Sequence, residues 1–359
     1  MDRHRSAPGS PGGSNSHPRL SGGSWPADAY TRELRQTTWF RTQGRLTDGA
    51  RSCAVMMHDD EIEISAGIVS ELVRSQFPQW AHQPVRRVRS GGTVNAIFRI
   101  GDALAARFPI RPAEPDEVRE LLEAEARAGK AFARHSTVPS PVPVTIGEPG
   151  PRYPLPWSVQ TWLPGTVASE TDPSASIPFA RDLAHLVATL RTADTGGRRC
   201  ERGRRGGDLH DHDQWVQTCL QRSGHLLDVD RLGALWGSYR ELPRGAPDVM
   251  THGDLTPLNM LVTGGRLVGV LDCGGFGPAD PSLDVVAAWH LLDDDPRAAF
   301  REDLRCDELE WERSKAWALE QSLGAVWYYI ETNPAMSRMG RRTIDRIITD
   351  CDRDGAGQP

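Results

Sequence analysis

The sequence contains almost no lysine, because only Lys130 and Lys315 of its 42 basic residues are lysines. Roles that lysine usually fills must therefore be taken by arginine, whose planar guanidinium has a different shape. Long apolar runs are also missing. None reaches the roughly 18 residues that a membrane-spanning helix needs, and no charged-then-apolar secretory signal is visible. These absences argue against a membrane protein and against an exported one.

Paired cysteines are absent as well. The six cysteines lie far apart and form no Cys-x-x-Cys pair, which argues against a disulfide framework and against a zinc site. They suit a reducing compartment, and we expect the protein to be cytoplasmic. The net charge of −6 and the pI of about 6.0 argue against a nucleic-acid partner, which usually requires a basic face.

Residues 1–56 are rich in Gly, Ser and Pro at their start and show no hydrophobic period, so we expect a disordered extension. Eight arginines and four acidic residues give this segment a local charge of +4. A basic targeting arm is the functional interpretation. The alternative is an extension without a role, or a translation start placed too early, with Met56 or Met57 as the true start.

Residues 57–162 have the pattern of a small β-rich lobe. A helical face from Ser65 to Phe77 precedes short strands separated by turn dipeptides, which is typical of an antiparallel meander. A helix rich in Ala, Glu and Leu is predicted from Glu117 to Ala133. The strands are predicted at 85–89, 94–100, 103–108 and 157–162.

Residues 163–355 are mainly helical. Leu163-Pro164-Gly165 ends the preceding strand, and one β hairpin at 260–272 interrupts the helices. A β-rich half joined to a larger helical half predicts an α+β fold with two lobes. The helices are predicted near 177–193, 213–225, 228–241, 281–292, 309–329 and 337–351.

The most informative stretch is His252-Gly253-Asp254-Leu255-Thr256-Pro257-Leu258-Asn259, with Asp272 thirteen residues after Asn259. Transfer of a phosphoryl group from ATP requires a carboxylate that accepts the proton of the attacking hydroxyl. It also requires oxygen ligands that hold Mg²⁺ against the phosphates. Asp254, Asn259 and Asp272 supply these groups. The predicted hairpin runs out and back, so it brings Asn259 and Asp272 together.

This spacing resembles the catalytic loop of kinases, His-x-Asp-x-x-x-x-Asn, followed by the metal-binding Asp-x-Gly. The His-Gly-Asp form with a proline before the asparagine is similar to the aminoglycoside phosphotransferase family, small-molecule enzymes with a protein-kinase-like bilobal fold. The resemblance implies Asp254 as the catalytic base. It implies Asn259 and Asp272 as the Mg²⁺ ligands.

The loop departs from the family pattern at three positions. Thr256 and Leu258 replace the family's His and Gly, and Cys273 replaces its common aromatic residue. These positions shape packing more than charge, so we expect the chemistry to be retained in an altered pocket. Cys273 itself is expected to be a core residue and not a reactive thiol.

A second segment supports the resemblance. Gly277-Pro278-Ala279-Asp280-Pro281-Ser282-Leu283-Asp284 resembles the Gly-Asp-Pro-x-x-Asp segment that follows the metal loop in this family. Asp280 before Pro281 is a favourable helix N-cap, and we favour that structural role. Asp284 is a candidate for stiffening the catalytic loop from behind.

The resemblance places the nucleotide in the β-rich lobe. Ser90-Gly91-Gly92 lies between two strands, where glycine exposes backbone N–H groups that hold phosphates, and an ordinary hairpin turn is the alternative. The third strand of the family carries a lysine for the α- and β-phosphates, and Arg107 stands at that place. Its expected partner on the following helix is Glu125, with Glu123 as the second choice and a solvated helix face as the alternative.

The family's hinge offers backbone hydrogen bonds to adenine. Gln160, Thr161, Trp162 and Leu163 stand at that place in this sequence. A P-loop is not expected, because Gly129-Lys130-Ala131 lies inside a predicted helix and no Ser or Thr follows the lysine.

The acceptor is harder to read from the sequence. Eleven acidic and five basic residues between Asp284 and Glu320 suggest a surface that attracts a polycationic aminoglycoside, with a solvated surface as the alternative. Six Trp and Tyr residues between Trp289 and Tyr329 suggest an apolar surface for a macrolide, although aromatics at helical spacing usually form core. The run Asp208-Leu209-His210-Asp211-His212-Asp213 resembles a metal cluster, but we favour a loop that ends in an Asp213 N-cap.

We therefore expect an ATP-dependent, Mg²⁺-requiring phosphotransferase that acts on a hydroxyl of a small molecule. The resemblance implies an aminoglycoside-type or related antibiotic as the acceptor. A metabolic kinase of the same fold, acting on an amino alcohol or a sugar, is one alternative, and a nucleotide-binding pseudokinase is the other. No nucleic-acid or membrane partner is expected, and the oligomeric state is open. The expected division is a disordered 1–56, a nucleotide lobe at 57–162 and a catalytic lobe at 163–355.

Overall fold

The computed structural model describes residues 62–88 and 94–356, so the predicted extension at 1–56 lies outside the described residues. The first lobe packs two helices against a five-stranded antiparallel sheet with the strand order β1-β2-β3-β5-β4. Its elements are α1 (Ala66–Gln76), β1 (Val85–Val88), β2 (Asn95–Ile100), β3 (Leu104–Pro109), α2 (Pro115–His135), β4 (Pro143–Gly147) and β5 (Trp157–Thr161).

Local sequence explains where these elements begin and turn. The Ser65 hydroxyl accepts the N–H of Ile68 at 3.3 Å and starts α1. Pro115 occupies the first turn of α2, where a missing N–H costs nothing. Gly101, with a φ of +57°, makes the tight turn between β2 and β3, a backbone conformation that glycine adopts without strain. The meander predicted from the sequence is confirmed.

The second lobe contains mostly helices, a three-stranded sheet with the order β6-β8-β9, and a two-stranded sheet of β7 and β10. Its elements are β6 (Thr166–Val167), α3 (Ala168–Thr171), α4 (Ile177–Leu190), α5 (Asp213–Ser223), α6 (Val229–Tyr239), β7 (Val249–Thr251), β8 (Met260–Thr263), β9 (Arg266–Val270), β10 (Gly277–Ala279), α7 (Ser282–Leu291), α8 (Asp294–Leu304), α9 (Glu308–Tyr328) and α10 (Pro334–Ala356). No helix in the described part of the chain combines the length and apolarity needed to cross a membrane.

Each lobe has its own apolar core. One core gathers buried side chains between Ile64 and Val159, and the larger one is built mainly from residues 168–347. Phe132 near the end of α2 packs in the larger core, so this helix ties the lobes together. The two cores support a lobe boundary near Trp162, which we propose on this ground.

Several elements differ from the prediction. Helix α8 is not among the predicted helices, although acidic residues before Pro296 are typical of a helix start and both lie in its first turn. The short strands β6, β7 and β10 are also additional. Asp213 is the first residue of α5 and not its N-cap, and its carboxylate accepts Trp236 Nε1–H at 2.8 Å. Among the described residues, no group of three or more His, Cys, Asp or Glu is arranged to hold a metal ion.

The predicted cap Asp280 lies one residue before the position where the cap is found, at Pro281. Its carboxylate nevertheless accepts the N–H of Ser282 at 2.9 Å, as a cap would. The other carboxylate oxygen forms a buried ion pair with Arg313 at 2.6 Å. Asp280 is therefore a structural residue that joins the start of α7 to α9.

Candidate active site

The start of α7 holds the loop at residues 252–259, which lies between β7 and β8, through hydrogen bonds to the loop backbone. The buried carboxylate of Asp284 accepts the N–H groups of His252 and Gly253, each at 2.8 Å. Gly253 has a φ of +83°, which favours glycine. The predicted stiffening role of Asp284 is confirmed by these two hydrogen bonds.

The side chain of His252 fixes the same loop to the end of β9. Its Nδ1 accepts the N–H of Asp254 at 3.2 Å, and its Nε2 lies 2.9 Å from the carbonyl of Leu271. Because Nδ1 faces a donor and Nε2 faces an acceptor, these contacts match the imidazole tautomer that carries a proton on Nε2. His252 therefore links the backbone of Asp254 to the backbone of Leu271, the residue before Asp272.

Asp254 is held at one carboxylate oxygen and left unsatisfied at the other. The Asn259 amide Nδ2 donates to Asp254 Oδ2 at 2.8 Å and to its backbone carbonyl at 2.9 Å. Oδ1 is buried without a hydrogen-bond partner among the described residues. Burial raises the pKa of the Asp254 carboxyl, and the nearby charge of Asp272 raises it further. Oδ1 of this carboxylate is therefore an acceptor that the described residues leave unused.

The β8–β9 hairpin places Asp272 beside Asn259, as predicted. The N–H of Leu271 donates to the carbonyl of Asn259 at 2.8 Å, which closes the hairpin at its base. Asp272 itself has a φ of +58°, a left-handed conformation that costs a residue with a side chain about 1 kcal/mol. The strained residue lies where the sequence predicted a metal ligand.

Arg107 connects the two lobes at this point. From β3, its Nη2 donates to Asp272 Oδ1 at 2.8 Å, and its Nη1 lies 3.5 Å from Glu125 Oε2 on α2. Burial raises the pKa of Glu125 even though Arg107 opposes the rise. Glu125 is therefore the partner of Arg107, as predicted first, while Glu123 lies 3.9 Å from Arg127.

Glycine makes the close approach of α2 possible. A Cβ atom on Gly274 would lie 2.9 Å from Cγ of Glu125, so only glycine fits at this position after Asp272. The preceding Cys273 is buried, and burial raises the pKa of its thiol well above the ordinary value. It packs as a core residue, in agreement with the prediction.

The structure treats the remaining predicted nucleotide residues differently from one another. Ser90, Gly91 and Gly92 lie outside the described residues. In the hinge segment, the N–H of Thr161 donates to Val142 and that of Trp162 to Ala103, so neither is available to a ligand. Leu163 N–H has no backbone partner among the described residues. Gln160 lines a cavity of about 340 Å³ between α2, β4 and β5, and Arg107, Glu125 and Asp272 line the same cavity.

A cleft of about 840 Å³ lies between the lobes and contains both Asp254 and Asp272. Arg107 and Glu125 also line it, together with Val94 and Asn95, which follow Ser90-Gly91-Gly92 in the sequence. Four arginines that were not predicted as site residues line the same cleft: Arg198, Arg199, Arg204 and Arg205. The sequence feature that could have indicated this basic segment is the presence of five arginines in the eight residues 198–205.

The acidic residues expected to attract a polycation do not line this cleft. They form ion pairs elsewhere in the second lobe: Asp293 with Arg346, Asp294 with Arg297 and Arg353, Glu310 with Arg191, Glu312 with Lys315, and Glu320 with Arg205. The aromatic residues do not line it either, and Trp289, Trp317 and Tyr329 are fully buried core. The three buried aromatics are core, as their alternative predicted, whereas many of the acidic residues are neutralised by ion pairs and do not form a purely solvated surface.

Comparison with known sequences identifies relatives of this chain. Residues 85–317, more than half of the chain, match the phosphotransferase enzyme family. An aminoglycoside 3'-phosphotransferase of Streptomyces fradiae is 31% identical over 206 residues, which cover 52% of this chain and 71% of that enzyme. An enzyme of the same description from Escherichia coli is 38% identical over 61 residues, which cover 17% of this chain and only 22% of that enzyme.

Solved structures share the fold. The GDP and kanamycin complex of APH(2'')-IIIa superimposes with a TM-score of 0.61 at 17% identity, covering 79% of this chain and 98% of that one. The macrolide 2'-phosphotransferase of Brachybacterium faecium gives a TM-score of 0.51 at 18% identity, covering 78% and 97%. At such identities the likeness concerns the fold alone, and it confirms the expected kinase-like bilobal architecture.

Proposed function

The chain belongs to the phosphotransferase enzyme family, and we propose that it transfers the γ-phosphoryl group of ATP to a hydroxyl group of a small molecule. The observation that carries this proposal is the arrangement of five predicted residues around one cleft. Asp254, Asp272, Arg107 and Glu125 line the cleft, and Asn259 donates a hydrogen bond to Asp254 at 2.8 Å. Phosphoryl transfer requires these groups close to one point, so their convergence supports the proposal.

Asp254 acts as the base. Its unsatisfied Oδ1 accepts the proton of the acceptor hydroxyl while Asn259 holds Oδ2 in place. The hydroxyl oxygen then forms a bond to the γ-phosphorus, the bond from that phosphorus to the β-bridging oxygen breaks, and ADP leaves with the electron pair. The partial burial of Asp254 keeps water from competing for this position.

Asn259 and Asp272 fit a magnesium ion. The amide nitrogen of Asn259 donates to Asp254, so the amide oxygen remains available as a metal ligand. Asp272 contributes carboxylate oxygen, of which one atom is used by Arg107. Two oxygen side chains suit Mg²⁺, which usually takes one or two protein ligands together with substrate phosphates and water. The bound ion would neutralise charge on the phosphates during transfer.

Arg107 takes the place of the usual lysine. Glu125 and Asp272 hold its guanidinium between β3 and the metal-binding residue, and its side chain is 13% exposed toward the cleft. A guanidinium stays charged near neutral pH and has several N–H donors. Arg107 can therefore keep its ion pairs with Glu125 and Asp272 and also bind a phosphate oxygen. This arrangement favours an active enzyme over a pseudokinase.

The acceptor class is the second part of the proposal. The relatives are named aminoglycoside and macrolide phosphotransferases, so antibiotics with a free hydroxyl are the first candidates. A cleft of about 840 Å³ is within the range of drug-sized ligands.

The test is mass spectrometry of products after incubation with Mg-ATP and a mixed panel of aminoglycosides, macrolides, amino alcohols and sugars. A product heavier by one phosphoryl group, absent with Asp254→Asn, is the expected result. Turnover of a sugar or amino alcohol alone would favour a metabolic kinase. ATP binding with no product from any compound would favour a pseudokinase, and no ATP binding would overturn the proposal.

The rate should depend on pH through Asp254. Because burial and Asp272 raise the pKa of this carboxyl, protonation and loss of the base should occur above the ordinary value of about 3.9. We expect kcat/KM to fall as pH is lowered, with a bend above about pH 4. A rate profile that stays flat down to pH 4, with the protein still folded, would contradict this assignment of the base.

A further inference from the structure

The arginines missed in the sequence form a basic surface on the second-lobe side of the cleft. They come from one segment, residues 198–205, between α4 and α5. We call them the arginine cluster: Arg198, Arg199, Arg204 and Arg205. All four line the cleft that contains Asp254, and none lines the smaller cavity beside β4 and β5.

The segment that carries the cluster is held rigidly. The N–H of Cys200 donates to the Asp248 carboxylate at 2.7 Å, and that of Asp280 donates to the carbonyl of Gly206 at 2.9 Å. Gly206 has a φ of +79°, and a Cβ there would lie 2.6 Å from Cβ of Ala279, so only glycine permits this close approach. The segment is therefore built onto β10 and the start of α7, next to the catalytic loop.

Arg205 is oriented by buried partners. Its Nε donates to Glu320 Oε2 at 2.9 Å, and the other oxygen of Glu320 lies 3.1 Å from Nδ1 of His212. The Glu320 side chain is 3% exposed. Nη1 and Nη2 of Arg205 have no partner among the described residues. The charge of Arg205 also opposes the rise in the pKa of Asp254, so the two side chains lie within electrostatic range.

The other members of the cluster lack an acidic partner that would neutralise them. No carboxylate lies within 4 Å of Arg198 or Arg199 in the described part of the chain, and Arg204 lies 3.8 Å from the exposed Glu201. Many other arginines of this lobe are paired at hydrogen-bonding distance, for example Arg297, Arg313 and Arg346. Arg198 and Arg199 therefore line the cleft that contains Asp254 without a carboxylate within 4 Å.

The acidic residues of the cleft are mostly engaged elsewhere. Glu125 and Asp272 hold Arg107, and Glu123 faces Arg127 on the same helix. Glu120 of α2 and Glu201 remain.

Arg198 is partly satisfied by the protein, because its Nε donates to the carbonyl of Thr195 at 2.9 Å and its Nη2 lies 3.5 Å from Sδ of Met250. Arg199, Arg204 and the Nη atoms of Arg205 present the remaining guanidinium donors, and carboxylate and phosphate oxygens are their matching acceptors.

We propose that the arginine cluster binds an anionic group, a carboxylate or a phosphate, on the small molecule whose hydroxyl faces Asp254. This inference rests on the proposed function and narrows its acceptor. The preferred acceptor carries a hydroxyl and an anionic group within one molecule that fits the cleft. Of the candidates that the relatives' names suggest, polycationic aminoglycosides should then be poorer acceptors than molecules with an anionic group, because their amino groups would meet the arginine cluster.

The test uses sulfate as the probe and heat stability as the readout. The protein is saturated with Mg²⁺ and a non-hydrolysable β,γ-imido analogue of ATP, so that the nucleotide's phosphate sites are occupied. Sulfate is compared with chloride at equal ionic strength. Sulfate at about ten times its Kd should raise Tm by about 2–5 °C in the wild type, and Arg199→Ala/Arg204→Ala should lose most of this shift.

Arg202→Ala is the matched control. Arg202 belongs to the same segment, but its side chain is 92% exposed and it does not line the cleft. This variant should retain the full sulfate shift. An equal shift in the double variant and the wild type would overturn the proposal. A shift that disappears when the ATP analogue is added would also overturn it, because the arginines would then serve the nucleotide's phosphates.

This measurement requires no phosphoryl transfer, so its failure is distinct from failure of the proposed function. A product in the mass-spectrometric screen without sulfate binding would leave an enzyme whose acceptor is not anionic. Once the screen names an acceptor, sulfate should compete with that acceptor and not with ATP. Competition with ATP alone would overturn the assignment of the cluster to the acceptor.

Discussion

Asp254→Asn is expected to lower kcat by about 10²–10⁴-fold, the usual contribution of a positioned general base. Asparagine keeps the size of the side chain and can still accept the Asn259 amide, but it cannot take up a proton. The KM for ATP should change little, because Asp254 faces the acceptor hydroxyl. The measurement is steady-state turnover of the acceptor found in the product screen. Asp295→Asn, an exposed acid in α8, is the matched control and should retain wild-type activity.

The same substitution should not weaken the fold. The pKa of Asp254 is raised in the folded protein, so its charged form destabilises the fold at pH values above the folded pKa. This penalty is absent below the unfolded pKa, where the carboxyl is protonated in both states. At pH 7, Asp254→Asn removes the penalty, and Tm should rise. A fall in Tm by several degrees would contradict this charge penalty and would show that the Asp254 carboxylate stabilises the fold at pH 7.

The spacing of the catalytic residues was enough to predict how they meet. Asp254 and Asn259 lie five residues apart on one loop, and a hairpin of known rise per residue leads to Asp272. Local rules of this kind depend on neighbours in sequence. They predicted the hairpin, the strands that carry Arg107, and α2 with Glu125 to within a few residues.

Contacts between distant segments could not be predicted in the same way. The acidic residues after Asp284 suggested an acidic surface, because the sequence does not show that Arg191 lies beside Glu310 or Arg346 beside Asp293. The arginines at 198–205 have no local pattern that places them in the cleft. The tertiary fold decides which charges are neutralised, and the unpaired ones are therefore visible only in the structure.

The hinge segment shows a second reason why part of the site could not be predicted from the sequence. The family resemblance placed Thr161 and Trp162 at the hinge, but their N–H groups donate to the carbonyls of Val142 and Ala103. If a strand boundary is misplaced by one or two residues, a backbone N–H that was expected to face a ligand faces a neighbouring strand instead. Such boundaries are the least certain feature of a sequence-based prediction.

Asp284→Ala is expected to lower both stability and turnover. Without the carboxylate, the N–H groups of His252 and Gly253 are left buried and unsatisfied, at about 1–3 kcal/mol each. Relief of the buried charge offsets part of this cost, since burial raises the pKa of Asp284. We expect a net loss of about 2–4 kcal/mol, and Tm lower by about 2–4 °C per kcal/mol.

A loss of stability alone would not show that Asp284 positions the catalytic loop, so Asp280→Asn serves as the matched control. Asp280 lies four residues earlier and is equally buried, but it pairs with Arg313 and not with the loop. Breaking that pair should cost about 3–5 kcal/mol. The Asp284 variant that matches this control is Asp284→Asn, which also replaces a carboxylate by an amide. Well below either Tm, kcat should fall in Asp284→Asn and stay near wild type in Asp280→Asn. Equal kcat values in the two variants would mean that Asp284 supports the fold without positioning Asp254.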